Sequence, residues 1–70
     1  MLILYDKTNL ERKIYIDRKK ALALELKLNV SEYGKKWKAI GDLLYDFSMG
    51  INIQAIELTP FQYEYFSKLL

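Results

Sequence analysis

The chain has 70 residues, with eleven Lys or Arg, nine Asp or Glu, no cysteine and no histidine. A length like this carries one domain around one core, and folding buries only about 60% of the unfolded surface. Without Cys or His the chain excludes disulfides, thiolate chemistry, Cys/His metal sites and imidazole acid–base catalysis, so neither a metal nor a cofactor is expected.

Hydrophobic residues make up 51% of the chain, too much for disorder and much for so small an interior, so part of this surface is expected to face a partner. The net charge of +2 conceals a polarity. Residues 1–38 carry ten basic and five acidic side chains, whereas residues 39–70 carry one and four. Such an asymmetry suits either self-association through opposite charges or contact of the basic part with a polyanion. No apolar run is long enough to cross a membrane. Met1-Leu-Ile-Leu-Tyr5 lacks the basic start and long apolar stretch of a signal peptide, which makes the cytoplasm the expected location. The abundance of Lys, Ile, Asn and Tyr matches AT-rich codons and suggests a bacterial or bacteriophage origin.

In chain order, Leu2 to Tyr5 reads as a strand and Asp6-Lys7-Thr8-Asn9 as a turn, since Asp and Asn side chains bond their own backbone. Leu10 to Ile16 alternates, with Leu10, Arg12, Ile14 and Ile16 on one face, and completes a β-hairpin. Residues 17–30 carry two signals. Leucines at 22, 24, 26 and 28, followed by Val30, keep strict period two and favour a third strand. The alternative is a helix, because Ala, Leu, Glu and Lys are good helix formers and Asp17 is a possible N-cap. Against the helix, its leucines would split onto two faces, and Arg18-Lys19-Lys20 would meet the positive end of its dipole.

The stretch from Ser31 to Phe47 is the clearest amphipathic helix. Tyr33, Trp37, Ile40, Leu44 and Phe47 fall at helical spacing, Leu43 widens the stripe, Ser31 is placed to cap and Gly50 to terminate. Its charges run against the macrodipole, with Lys35, Lys36 and Lys38 early and Asp42 and Asp46 late. Ile51 to Leu58 reads as a strand whose alternation slips after Ala55, the mark of a bulge. Thr59-Pro60 opens the last helix, where Thr59 as N-cap and Gln62 at N3 make a capping box, Pro60 sits at N1, and Leu58 and Tyr63 form a hydrophobic staple. These elements predict an α+β fold in which a small antiparallel sheet of three or four strands is packed by two helices, in the order ββ(β)αβα.

Three candidate sites follow. Lys35, Lys36, Trp37 and Lys38, with Arg18, Lys19 and Lys20 joined to them, offer cations interleaved with an aromatic ring, the chemistry that grips anions and single-stranded nucleic acid. The competing reading places Tyr33 and Trp37 in the core and leaves the lysines as a solvated face. Phe61, Tyr63, Tyr65, Phe66 and Leu70 make the last helix apolar nearly all round, so part of it is a candidate interface for a second copy or a protein partner. The serines, tyrosines, lysines and carboxylates include no nucleophile with a recognisable base, and an enzyme is not expected. The function expected is a small non-enzymatic protein–protein interaction or regulatory module, homodimeric and accessory in role, with nucleic-acid binding as the alternative.

Overall fold

A computed structural model describes all 70 residues. The chain forms β1 (Leu2–Asp6), β2 (Asn9–Ile16), α1 (Arg18–Asn29), α2 (Lys38–Ser48), β3 (Ala55–Leu58) and α3 (Pro60–Leu69). This is the expected α+β class in nearly the expected order. Two features differ: the sheet is mixed, and the bracketed third strand is a helix.

The sheet order is β2-β1-β3, with β1 antiparallel to β2 and parallel to β3. The expected turn is present: the Asp6 carboxylate accepts from the Thr8 backbone N–H at 2.8 Å and from its hydroxyl at 2.7 Å. Pairing then jumps from Asp6↔Asn9 to Tyr5↔Lys13, so Leu10, Glu11 and Arg12 bulge out of the ladder. The bulge resets the alternation. Arg12, Ile14 and Ile16 turn toward the helices, while Leu10 emerges beside Ile3, Tyr5 and Lys13 on the opposite face. The bulge inferred from the sequence near Ala55 is instead the start of the strand. β3 spans only Ala55–Leu58, and residues 51–54 are irregular.

Residues 18–29 form α1, against the strand favoured by the leucine alternation. The Asp17 carboxylate accepts the Lys20 backbone N–H at 2.7 Å, supplying the cap that a strand has no use for. The helix buries Ala21, Leu24 and Leu28, a face at i, i+3 and i+7 hidden within the period-two run. Leu26 and Val30, which the alternation assigned to a core face, are exposed.

α2 begins at Lys38, six residues later than a cap at Ser31 implies, because residues 31–37 wind in irregular turns. The Ser31 hydroxyl donates to Leu28 O at 2.7 Å, so Ser31 closes α1 and does not cap α2. The loop must pass close to α1: a Cβ on Gly34 would lie 2.9 Å from the carbonyl oxygens of both Leu28 and Asn29. The apolar stripe still holds across the break, since the Trp37 N–H donates to Tyr33 O at 2.8 Å, and Trp37, Leu44 and Phe47 are buried. Leu43 stands partly outside it. Gly50 terminates the helix as expected, with φ at 103°. α1 and α2 run antiparallel, and the Arg18 guanidinium at the start of α1 donates to Phe47 O at the end of α2 while lying 4.4 Å over the Phe47 ring.

The capping box of α3 is present in both directions: Thr59 Oγ1 accepts from Gln62 N at 3.2 Å, and Gln62 Oε1 accepts from Thr59 N at 2.9 Å. Leu2, Leu4, Ile16, Ile56 and Leu58 from one sheet face meet Ala21, Leu24 and Leu28 of α1, Trp37, Leu44 and Phe47, and Phe66 of α3 in a single core. The molecule is 18 Å across its shortest axis, the thickness of one helix layer on one sheet. The other sheet face carries no helix.

Candidate interaction surfaces

Trp37 is 8% exposed and packed among other aromatic rings. Tyr33 stacks on it at 4.3 Å with the planes 8° apart, and Phe61 and Tyr65 present edges at 5.8 and 5.4 Å. A nucleic-acid base therefore cannot stack on Trp37, the ring that the lysines flank. Lys35 and Lys36 are exposed, and Lys38 pairs with Asp42 at 3.1 Å across one helical turn. Asn29, Ser31, Glu32, Gly34, Lys35 and Lys38 line a wide polar depression. Arg18, Lys19 and Lys20 are not joined to this group. They lie at the opposite end of α1, about 18 Å away for twelve residues of helix, and Arg18 is committed to the end of α2. The expected single basic surface is two separate ones.

The aromatic residues of α3 also divide. Phe66 is fully buried and belongs to the core, which removes it from any interface of the folded chain. Tyr63 and Tyr65 are partly buried against that core, and Tyr63 lies 4.7 Å beneath the Arg12 guanidinium. Phe61 and Leu70 are exposed, at 57% and 41%. Leu69, Tyr65 and Phe66 spend the apolar side of α3 on the monomer.

Arg12 links the hairpin to α3. Its guanidinium bonds Glu64 and lies 3.5 Å from Asp6, whose side chain is 3% exposed. The two hydrogen bonds from Thr8 hold the Asp6 carboxyl below its ordinary range, and the Arg12 charge adds to this against the opposing effect of burial. The network ties β1, β2 and α3 together.

The surface the sequence did not disclose is the open face of the sheet. Strand register sets two rows across it: Lys13, Tyr5 and Glu57, then Tyr15, Ile3 and Ala55. The Tyr5 hydroxyl donates to Glu57 Oε1 at 3.3 Å, and burial followed by the Glu57 charge raises the tyrosine's pKa. Leu10 and Tyr15 are 65% and 54% exposed, and a shallow apolar groove runs along Ile3, Tyr5, Leu10, Lys13 and Ala55. The alternation of residues 10–16 set Lys13 and Tyr15 opposite Arg12, Ile14 and Ile16, but the apolar run of β1 marked no outward face for Ile3 and Tyr5. The arrival of Leu10 depends on the bulge, and that of Ala55 and Glu57 on a parallel pairing between distant segments.

No three His, Cys, Asp or Glu side chains converge as metal ligands, and no helix is long and apolar enough to cross a membrane. Comparison with protein-family models, with curated proteins and with solved structures finds no match to the chain.

Proposed function

We propose that this protein is a small non-enzymatic protein-binding module that works as a homodimer. The observation that supports the reading is the bare sheet face. A two-layer fold has covered one side of β2-β1-β3 with three helices and left Leu10 and Tyr15 exposed above Ile3 and Tyr5 on the other. Leaving that much apolar and aromatic surface in water is unfavourable unless something covers it. The absence of Cys and His from the sequence argues for binding over catalysis. Its size and its AT-rich composition suit an accessory or regulatory protein of a bacterium or bacteriophage.

Sedimentation equilibrium across micromolar to millimolar concentrations tests this. The weight-average mass is expected to rise from 8.3 kDa toward twice that value with concentration. A constant 8.3 kDa contradicts the dimer. Nucleic-acid binding through Lys35, Lys36 and Lys38 would have to be electrostatic alone. Titration with labelled DNA and RNA at low salt is expected to give only weak binding that salt abolishes.

A further inference from the structure

We infer that the two copies meet through their open sheet faces, about a two-fold axis running parallel to β1. The inference rests on the dimer reading and assigns it a surface and a geometry. On this face Lys13 stands on the β2 side of Tyr5 and Glu57 on the β3 side, in one row. Tyr15 and Ala55 flank Ile3 in the same way in the next row. A two-fold axis lying between the faces and along β1 exchanges left and right without reversing strand direction. It therefore sets β2 of each copy over β3 of the other, and β1 over β1.

The consequences at each grid position are complementary. Lys13 of each copy comes opposite Glu57 of its partner, twice by symmetry. Tyr15, large and 54% exposed, comes opposite the small Ala55, so a projection meets a recess in both directions. Ile3 and Tyr5 pack on their own counterparts at the centre. Sheets packed face to face lie about 10 Å apart with nearly aligned strands, a gap that a lysine and a glutamate side chain together can span. An axis across the strands sets β2 over β2 instead. In that arrangement Lys13 falls on Tyr15 or on itself, and the charges have no partner. Of the two axes, the one along β1 makes the face self-complementary in charge and in size.

The patch is small. Three strands about 4.8 Å apart and roughly five residues long give a face well below that of a permanent interface, so the dimer is a weak, reversible one.

Charge reversal tests the geometry. Lys13→Glu alone turns both Lys–Glu pairs into like-charge pairs, and Glu57→Lys alone does the same. Each is expected to raise the dimer dissociation constant about tenfold or more, since two pairs change sign at once. An equimolar mixture of the two single variants restores opposite charges in the mixed dimer. The double variant Lys13→Glu/Glu57→Lys restores them in its own dimer. Both are expected to associate within about threefold of the original chain, which also shows that each variant is folded. If the original chain is monomeric throughout, the dimer reading itself fails. If it dimerises but the single reversals leave its dissociation constant unchanged, or if neither the mixture nor the double variant recovers association, the sheet-face geometry is overturned and the dimer reading stands.

Discussion

Asp6 is the one charged side chain buried in the fold, and its position shows how much a single residue settles. It closes the hairpin turn through Thr8 and anchors Arg12, which in turn holds Glu64 of α3. Its carboxyl pKa is depressed, so its contribution to stability is complete above the ordinary carboxylate pKa near 4 and is lost as pH falls through the lower folded value. Urea denaturation of the native chain and of Asp6→Asn should therefore differ most above about pH 4, with the gap closing toward pH 2. An equal gap at every pH contradicts the assignment. Trp37 settles a second question. Buried among Tyr33, Tyr65, Phe61 and Phe66, it is core, and Trp37→Ala should cost about 3–5 kcal/mol in the same denaturation experiment. Replacing Lys35 and Lys36, both exposed, by Ala should shift stability by no more than about 0.5 kcal/mol. The turn at Asp6 was legible in the sequence because Asx chemistry is local. The Arg12–Glu64 bond, which joins positions 52 apart, was not.

At the scale of elements, capping chemistry was decisive at Thr59 and Asp17 and misleading at Ser31, which closes α1. The Thr59-Pro60 start of α3 follows from capping alone, and Thr59→Ala should cost about 1 kcal/mol, measured by thermal melting. In residues 18–29 a period-two leucine run concealed the buried i, i+3, i+7 face of α1, and the deciding feature was Asp17, a cap. The stripe from Tyr33 to Phe47 predicted burial correctly across a break it could not reveal, because the turns at 31–37 keep the same residues inward. Gly34 before α2 and Gly50 after it are needed for different reasons. Gly50 has φ at 103° and open space around it, so Gly50→Ala should cost about 1 kcal/mol through backbone strain. At Gly34 a methyl would strike two backbone oxygens of α1, so Gly34→Ala must also shift the loop against the helix end. Urea midpoints should rank the two, with Gly34→Ala the more destabilised.

For the whole molecule, the α+β class and the single core were legible because they follow from length and from where apolar residues recur. The mixed sheet was not, since the parallel pairing of β1 with β3 joins segments about fifty residues apart and nothing local marks it. The charge polarity of the chain suited either self-association or contact with a polyanion and marked no site for either. Of the basic residues it counted, Arg18, Lys19 and Lys20 lie at one end of the α1–α2 pair and Lys35, Lys36 and Lys38 at the other, and the pair proposed to matter, Lys13 with Glu57, comes from opposite edges of the sheet. Folding places these two on either side of Tyr5, and their order across the face makes the surface complementary to itself. The most direct measurement is a set of amide NMR spectra of the native chain, recorded on dilution from about 1 mM to about 10 μM, a range chosen for a weak interface. The account predicts concentration-dependent shifts centred on Ile3, Tyr5, Lys13, Tyr15, Ala55 and Glu57, with α2 and the exposed side of α3 unmoved. Spectra that do not change on dilution, or shifts centred on α2 or on Phe61 and Leu70, would contradict it.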